Sequence, residues 1–560
     1  MLNSRTLILT FGMLCSSVAA YAVLAKPGQW RTITLADGTE VRAELRGDEF
    51  CHYWLADDGS AYLPNATDGR FEPIDLQSTE ISGRTARRLA NVARADRAAA
   101  ANPGKYTGKK RGLIILVEFP KRTATNTPEA TFSTTDAQIY YDRVANEKNF
   151  SDSNVGFKSS VYDYFYAQSE GQFEFNFDVV GPYRLGNAYN YYGQDNGTML
   201  DVHLGKLIYH ACYKADDDVD FSQYDWDGDG TVDQVFVLYA GQGQNVNGEN
   251  TDLIWPQEGT LNAVGSDQAP FELDGVTIDT FACSCELGEG GAIDGIGTIC
   301  HEFSHCFGLP DTYDRGTTFG ATSLHYGTYV WDLMNMGNYL DGGYQPAGYT
   351  AYQRMFCGWK TLTPLTKSTR IEGMKALSEG GEAYAIYNDA HPDEYYILEN
   401  RQRTGCDAGL YASGLMISHI NYSAEAWAAN DINTTKERMS IFAADNSWQR
   451  SVDDVKGDLY PFNGNDCLTA TSEPAATLVN ANSDGSYLMN KDVTGITQNV
   501  DGTISFDFTN NMPSGIENIE ADKANSSNAI FRIDGVRIDS EEMLRNGEIY
   551  IINGEKVIKK

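Results

Sequence analysis

The sequence predicts a mixed α/β (α+β) protein of several domains, with a small β unit in front of the main domain and β-rich segments behind it. Two continuous apolar runs, residues 112–119 and 232–240, are typical of buried strands. The apolar stretch at residues 296–307 predicts a buried helix. The 560 residues correspond to about three or four domains, and an apolar content of 42% is sufficient for large cores.

The first 22 residues are predicted to be a secretory signal peptide. Arg5 provides the charged start, residues 7–14 are apolar, and residues 20–22 (Ala-Tyr-Ala) provide small residues before a cleavage point. Cys15 would suit a lipoprotein, but Leu14 before it is too large for the usual motif. No later run reaches the ~18 apolar residues of a membrane span. We therefore expect an exported chain, secreted or at the cell surface, in a compartment that permits disulfides.

Residues 23–106 are expected to be a propeptide with a basic, cleavable connector. Residues 23–82 alternate polar and apolar positions between three Asp-Gly turns, which predicts a small antiparallel β unit. Residues 83–111 are rich in Ala, Arg and Lys and are typical of an exposed segment open to processing; a plain linker is the alternative. Residues 1–111 carry a net charge of +3 and residues 112–560 carry −37, so attraction favours docking of the front on the body.

The remaining chain divides into three parts. Residues 107–362 are predicted to form the main α/β domain, with helices at 161–168 and 200–215 between the buried strands. Short strands with frequent turns then predict a β-rich domain at 363–512, and a tail module follows at 513–560. The total charge of −34 repels phosphate backbones, which argues against a nucleic acid partner.

The pattern His-Glu-Phe-Ser-His at residues 301–305 contains the candidate metal-binding and catalytic residues. On a helix His301 and His305 lie one turn apart on the same face, where two neutral imidazoles can bind a zinc ion. Glu302 beside them can hold the water and act as the general base. Zinc lowers the pKa of a bound water to about 7, so the pattern predicts metal-assisted hydrolysis.

The residues after this helix extend the pattern. Gly308 can end the helix in a left-handed conformation, and Pro310 cannot continue it. The turn would bring Asp311 back as the third zinc ligand and leave the fourth position for water. Asp314 or a more distant side chain is the alternative ligand. The simpler interpretation of the whole motif is a core helix whose histidines form hydrogen bonds with backbone groups.

A second signal lies about 30 residues downstream, in Trp-Asp-Leu-Met-Asn-Met-Gly at 331–337. Zinc peptidases with an extended motif place a methionine-bearing turn under the metal. Met334 is our choice for this Met-turn and Met336 is the alternative. Two ordinary core methionines are the simpler reading.

Taken together, HEFSHCFGLPDTYD and VWDLMNMG resemble the immune inhibitor A family of secreted zinc metallopeptidases in the metzincin clan. The likeness extends over roughly residues 107–510, and is carried by the segments at 156–183, 220–241, 395–420 and 458–474. It implies a metzincin-like α/β catalytic domain, an N-terminal propeptide and peptide-bond hydrolysis. Carried over by position, His301 and His305 are zinc ligands and Glu302 is the catalytic base. Asp311 stands where metzincins usually place a third histidine.

A second candidate metal-binding segment is the run Asp225-Trp-Asp227-Gly-Asp229-Gly-Thr-Val-Asp233. Carboxylates at alternate positions and a glycine at the sixth resemble the first half of a calcium loop. The glutamate of an EF-hand is missing, so we expect a structural Ca²⁺ site of another type. A solvated Asp-rich turn is the alternative.

Several cysteines and one charged motif leave alternatives open. The four cysteines at positions 283, 285, 300 and 306 suit disulfides or a Cys-His zinc cluster, although the spacing matches no usual zinc pattern. Cys51-His52 would be able to block the zinc, but an ordinary buried cysteine is the simpler reading. The motif Glu399-Asn400-Arg401 has two interpretations, and a structural ion pair is a simpler one than a role in substrate binding.

The tail at residues 530–560 resembles the C-terminal sorting modules of type IX secretion substrates in Gram-negative bacteria. The resemblance rests on an apolar strand, an Asn-Gly turn and a Lys-rich last strand. It implies recognition by outer-membrane secretion machinery. A fragment of the preceding β domain is the alternative.

The leading interpretation is a secreted zinc endopeptidase, made as a zymogen, that hydrolyses extracellular proteins. The alternative is a calcium-stabilised surface adhesion protein whose peptidase domain is inactive. The intact motif at residues 301–311 favours the enzyme.

Overall fold

The protein is described by a computed structural model. The described residues are 21–48, 51–65, 69–75, 106–195, 200–247, 250, 252–263, 266–314, 325–511 and short pieces beyond 529. Most of the predicted signal peptide, most of the basic connector and the side chain of Cys51 lie outside them. The chain divides into two compact units, one reaching Thr509 and one starting at Asn510, close to the predicted start of the tail module.

The front unit is an antiparallel meander, as the sequence predicts. A short strand β1 (Tyr21–Ala22) precedes it and pairs with another sheet. The meander strands follow one another in space in chain order. They are β2 (Trp30–Thr34), β3 (Glu40–Asp48), β4 (Cys51–Ala56), β5 (Ala61–Pro64) and β6 (Phe71–Pro73).

A six-stranded sheet lies at the centre of the main domain, in the order β1-β10-β13-β9-β7-β8. Strands β13, β9, β7 and β8 are parallel, whereas β10 runs antiparallel to β13 and carries β1 on its other side. A small hairpin, β11–β12, lies apart from it. The strands are β7 (Gly108–Glu118), β8 (Phe173–Arg184), β9 (Val235–Gln242), β10 (Gln257–Thr260), β11 (Phe271–Leu273), β12 (Val276–Ile278) and β13 (Thr280–Leu287).

Both faces of this sheet are covered, because successive strand residues point to opposite sides. Ile114 of β7 packs in one core with Phe303 and Phe236, whereas Leu113 packs in another with Leu207. The buried strands predicted at 112–119 and 232–240 are thus confirmed. The helices in this part are α1 (Ala137–Asn146), α2 (Val161–Gln168), α3 (Tyr189–Tyr192), α4 (Leu204–Ala215) and α5 (Ile296–Cys306).

The predicted helices are confirmed, with one shifted start. Helix α2 has the predicted bounds, and its N-terminus carries a capping box between Ser160 and Asp163. Helix α4 begins at Leu204 rather than at residue 200. The reason is Asp201, whose φ of +47° is left-handed and cannot belong to a right-handed helix.

Beyond residue 361 the chain forms the predicted β-rich region. A five-stranded sheet, β14-β16-β17-β18-β19, and a three-stranded sheet, β15-β21-β20, share one apolar core. Three short helices accompany them, α6 (Ala351–Phe356), α7 (Ala424–Ala428) and α8 (Val452–Val455). The strands are β14 (Leu362–Pro364), β15 (Thr369–Met374), β16 (Ala383–Tyr387), β17 (Glu394–Arg401), β18 (Gly414–Asn421), β19 (Met439–Ile441), β20 (Lys491–Gln498) and β21 (Ile504–Asn510).

The second unit contains a small antiparallel sheet in the order β23-β22-β24-β25. Its last two strands pair as the predicted terminal hairpin, with the Asn-Gly turn outside the described residues. The strands are β22 (Ile530–Arg532), β23 (Arg537–Ile538), β24 (Ile549–Ile552) and β25 (Glu555–Ile558). Among the described helices, none combines the length and the apolar composition that a membrane crossing requires.

Candidate functional site

Helix α5 carries the histidine motif through the protein interior. All eleven of its residues are buried. A glycine allows the helix to pack closely against the segment that follows the predicted Met-turn, because a Cβ at Gly297 would lie 1.9 Å from the carbonyl oxygen of Asn338. His301 and His305 lie on one face with their Nε2 atoms 3.1 Å apart.

Backbone carbonyls hold both imidazoles in one orientation. Nδ1 of His301 lies 2.9 Å from the carbonyl oxygen of Leu333, and Nδ1 of His305 lies 2.7 Å from that of Leu309. A carbonyl only accepts, so each Nδ1 carries the hydrogen and donates it. Each Nε2 therefore presents a lone pair, which is the form that binds a metal ion.

The turn after α5 returns Asp311 to the histidines. Gly308 adopts a φ of +84°, and its N–H donates to the carbonyl oxygen of His305, as the sequence predicts. The buried Asp311 carboxylate then lies with Oδ1 3.3 Å from Nε2 of His301 and 3.4 Å from Nε2 of His305. The structure thus brings these three residues together as a group able to hold a metal ion.

The spacing of the three donor atoms fits zinc. Ligand atoms ~2.0–2.1 Å from a tetrahedral zinc ion lie about 3.3 Å from one another. The three distances in this site are 3.1, 3.3 and 3.4 Å. Two neutral imidazoles and one carboxylate leave a fourth position for water, as in catalytic zinc sites.

Asp314, the alternative third ligand, is directed elsewhere. Its Oδ2 accepts a hydrogen bond of 3.0 Å from the backbone N–H of His325 and lies 3.7 Å from Nδ1 of the same residue. It is not part of the group formed by the two motif histidines and Asp311. The geometry therefore favours Asp311.

The predicted Met-turn is held by Asp332. One carboxylate oxygen accepts from the backbone N–H of Met334 at 2.8 Å and from Nε2 of Gln353, and the other accepts from Oγ1 of Thr312 at 2.7 Å. Met334 is fully buried in the same apolar cluster as residues of α5. Met336 is only partly buried and packs on a different cluster. The positions favour Met334 as the residue beneath the histidines.

Glu302 follows His301 directly on helix α5 and is not part of the group of His301, His305 and Asp311. Its side chain is completely buried, and its backbone carbonyl accepts a hydrogen bond of 3.3 Å from Nε2 of Gln234. The charge of Glu302 acts on its neighbour Tyr339. Burial is the main cause that raises the pKa of Tyr339, and the negative charges of Asp294 and Glu302 raise that pKa further. A carboxylate at this position suits a general base for a water held by the metal.

The front unit packs on the main domain through Trp255. This side chain is completely buried and belongs to the apolar core of the front unit. Its Nε1–H donates to the carbonyl oxygen of Val23 at 2.8 Å, and its ring stacks on His52 at 4.6 Å. Nε2 of His52 lies 3.1 Å from Nε2 of Gln244, so His52 contacts this glutamine rather than the group of His301, His305 and Asp311. Burial lowers the pKa of His52 to about 4.

The start of the front unit also covers the edge of the central sheet. Strand β1, the last two residues of the predicted signal peptide, pairs with β10, and both strands contact helix α5. The chain then continues past Tyr339, whose hydroxyl donates to the carbonyl oxygen of Leu24 at 2.6 Å. Beyond it the N–H of Lys26 donates to the carbonyl oxygen of Asn245 at 3.1 Å. Residues 21–26 thus lie against the part of the main domain that contains helix α5, and of these only residues 23–26 belong to the predicted propeptide.

Three of the four predicted calcium ligands lie together. Oxygen atoms of Asp225, Asp227 and Asp229 lie within 4.8 Å of one another, and Asp233 is outside the group. The Asp225 carboxylate accepts hydrogen bonds from the backbone N–H groups of residues 228–230 and so shapes the loop. Asp227 and Asp229 are exposed, which leaves their carboxylates accessible to an ion.

The disulfides suggested for the cysteine cluster are wrong for the described part of the chain, where none forms. The sheet separates the two pairs: Cys283 and Cys285 lie in the core on one face, and Cys300 and Cys306 in the core on the other. Burial raises the pKa of the thiols of Cys283, Cys285 and Cys300, which disfavours the thiolate that a metal would need. The Cys-His zinc cluster is also wrong, since the histidines meet an aspartate.

The expected ion pair of Glu399 and Arg401 is confirmed and is buried. Arg401 also binds Asp407 at 2.7 Å and donates to the carbonyl oxygen of Trp331 at 3.0 Å. The β-rich region thus supports the residue that precedes the Met-turn.

Sequence reasoning missed one residue that contacts the site, Asn430. Its amide donates to Oδ2 of Asp311 at 2.7 Å across a sequence separation of 119 residues. No spacing pattern links two positions so far apart, and the sequence between α7 and β19 contains only an ordinary polar run.

Comparisons with known proteins agree with the site. Residues 98–361 match the family described as immune inhibitor A peptidase M6, catalytic domain. The chain is 25% identical over 291 residues to a pre-pro-metalloprotease, PrtV, of Vibrio cholerae, a match covering 44% of this chain and 30% of the relative. It is 27% identical over 151 residues to an immune inhibitor A of Bacillus thuringiensis, covering 24% and 21%. The matches thus span less than a third of each relative, and they support a metallopeptidase.

Proposed function

We propose that the chain is an exported zinc endopeptidase, made as a zymogen, that hydrolyses peptide bonds of extracellular proteins. The observation that carries the proposal is the group of His301, His305 and Asp311. Its donor atoms have the spacing of a tetrahedral zinc site, and each imidazole presents the nitrogen that binds metal. The match of residues 98–361 to a peptidase family supports the same reading.

In this proposal His301, His305 and Asp311 hold the zinc, which supplies Lewis-acid activation of water and of the scissile carbonyl. Glu302 accepts the proton of the attacking water on its carboxylate. It then delivers that proton to the nitrogen of the leaving amine, because that nitrogen leaves easily only when protonated. The buried position of Glu302 excludes bulk water from these transfers.

Export and delivery are proposed from the two ends of the chain. Residues 1–22 act as the signal peptide, and the β unit with its basic connector, residues 23–106, is removed on activation. The tail at 513–560 acts as a sorting module read by outer-membrane machinery. The terminal hairpin β24–β25 supports a small β module there.

A casein assay separates this proposal from an adhesion protein with an inactive domain. The processed protein should hydrolyse casein, lose activity with 1,10-phenanthroline and regain it on addition of zinc. The non-chelating isomer 1,7-phenanthroline is the matched control and should leave activity unchanged. Absence of hydrolysis under all conditions would favour the adhesion protein.

Asp311→Ala should weaken both zinc binding and hydrolysis, since it removes one of three protein ligands. The loss of zinc affinity should exceed the about 10- to 100-fold that follows removal of an outer partner of a metal ligand. Asp314→Ala is the matched control and should retain zinc, because Asp314 bonds to His325 instead. Zinc content and casein turnover are measured on both variants; the opposite ranking would move the third ligand to Asp314.

We also propose a structural calcium ion at Asp225, Asp227 and Asp229. Calcium at 100 times its Kd should stabilise the folded chain by about 2.7 kcal/mol, seen as a rise in Tm. Asp227→Asn should abolish that rise, whereas Asp217→Asn, an equal charge change at an exposed position, should not. Equal Tm with calcium and with EGTA in the wild-type protein would contradict the site.

A further inference from the structure

Asn430 contacts Asp311 on two sides at once. Its Oδ1 accepts a hydrogen bond of 2.8 Å from the backbone N–H of Asp311, and its Nδ2 donates one of 2.7 Å to Oδ2 of the same residue. The two bonds close a ring between one amide and one aspartate. Asn430 is 2% exposed, so water does not compete for either bond.

This ring determines which carboxylate oxygen faces the histidines. With Oδ2 held by Asn430, the other oxygen, Oδ1, lies 3.3 Å and 3.4 Å from the two Nε2 atoms. A carboxylate without such a bond can rotate about its Cβ–Cγ bond and exchange the two oxygens. The amide therefore holds the carboxylate in the rotamer that presents Oδ1 to the two histidines.

We propose that Asn430, contributed by the β-rich region, is a positioning residue that presents Asp311 to the zinc ion. The inference rests on the proposed function, because Asp311 is a ligand only if the site binds zinc. It assigns the β-rich region a direct part in the metal site. Partners of this kind typically contribute about 10- to 100-fold to metal affinity.

The neighbouring contacts make the effect of Asn430 local. Asn433, further along the same loop between α7 and β19, donates from Nδ2 to the carbonyl oxygen of Thr312 at 2.6 Å and to that of Met439 at 2.7 Å. These bonds anchor the chain next to Asp311 without using Asn430. Loss of the Asn430 amide should therefore change the orientation of the Asp311 carboxylate more than the path of the backbone.

The backbone at Asn430 suggests the cleanest variant. Its φ is +48°, a left-handed conformation that glycine adopts without strain. Asn430→Gly thus removes the amide and keeps the turn. Asn463→Gly is the matched control, since Asn463 has a φ of +47° and lies exposed in a turn of the same region.

The test is a zinc titration of the metal-free full chain in competition with a chromophoric chelator. Asn430→Gly should bind zinc about 10- to 100-fold more weakly than wild type, and Asn463→Gly should bind it equally well. The Co²⁺ absorption spectrum should shift only in Asn430→Gly, because a changed carboxylate alters the ligand field. Wild-type zinc affinity and an unchanged spectrum in Asn430→Gly would overturn the inference.

A second variant answers the same question if Asn430→Gly does not fold. Asn430→Asp keeps the volume and the acceptor for the Asp311 N–H, but it places a carboxylate against Oδ2. Zinc binding should weaken at least as much as in the glycine variant, and wild-type affinity would again overturn the inference. A wild-type chain without zinc affinity is a different result, since it would contradict the proposed function itself.

Discussion

Glu302→Ala should lower casein hydrolysis by about 10²- to 10⁴-fold, the usual contribution of a positioned general base, while the protein keeps its zinc. The physical reason is the division of roles within helix α5. In the proposed site His301 and His305 hold the zinc ion together with Asp311, whereas Glu302 is not part of that group. Removing its carboxylate therefore removes the proton acceptor and leaves the three ligands in place.

Conservative variants at the same position sharpen this prediction. Glu302→Gln keeps the volume and should be nearly as inactive as Glu302→Ala, because an amide does not accept the proton. Glu302→Asp keeps the acid but shortens its reach, so it should retain intermediate activity. The measurements are kcat/KM on one peptide and zinc per chain. Turnover of Glu302→Gln within tenfold of wild type would contradict the role of general base.

The uncleaved chain should be weakly active, and cleavage between about Arg84 and Lys105, before strand β7 begins at Gly108, should raise its activity strongly. Residues 23–26, the start of the proposed propeptide, hydrogen-bond to the main domain: the carbonyl oxygens of Val23 and Leu24 accept from Trp255 and Tyr339, and the N–H of Lys26 donates to the carbonyl oxygen of Asn245. Burial raises the pKa of Tyr339 and the charge of Glu302 raises that pKa further, so this contact lies near the proposed general base, where a substrate would have to bind. The buried Trp255 in the core of the front unit holds that unit in place.

The contacts of the front unit are expected to act in trans as well. The separated front segment should inhibit the processed enzyme through its packing on Trp255; residues 23–106 carry 11 Lys/Arg and 12 Asp/Glu, so no net charge attraction is needed and salt should change the inhibition little. His52→Ala in the added segment should weaken inhibition about tenfold, since it loses the stacking on Trp255 and the contact with Gln244. Asp57→Ala, at an exposed turn, is the control.

The assay compares uncleaved and cleaved protein on casein at equal zinc. Changes made in the added segment leave the enzyme itself untouched, so the His52 comparison reports docking alone. Equal activity of the two forms would refute the propeptide and leave residues 23–106 as an accessory domain.

Local patterns in the sequence predicted the parts of the structure that depend on near neighbours. Helix α5 and its face follow from the apolar run and from the four-residue spacing of His301 and His305. The return of Asp311 follows from Gly308, because its left-handed φ is a property of one residue. The strands β7 and β9 follow in the same way from continuous apolar runs.

Contacts between distant segments were beyond these patterns. Asn430 reaches Asp311 only after the β-rich region has folded against the main domain, and Trp255 enters the core of a unit that precedes it by some 200 residues. The cysteines were misjudged for the same reason. Their closeness in sequence suggested bonding, but the sheet between them places Cys283 and Cys300 in different cores.

The most direct test of the account is the zinc content of the purified wild-type chain, determined by elemental analysis beside a His301→Ala, His305→Ala double variant. The account predicts one zinc ion per wild-type chain, almost none in the double variant, and casein hydrolysis that rises in proportion to the zinc bound. Hydrolysis that persists in zinc-free protein, or a wild-type chain that takes up no zinc, would contradict a zinc peptidase.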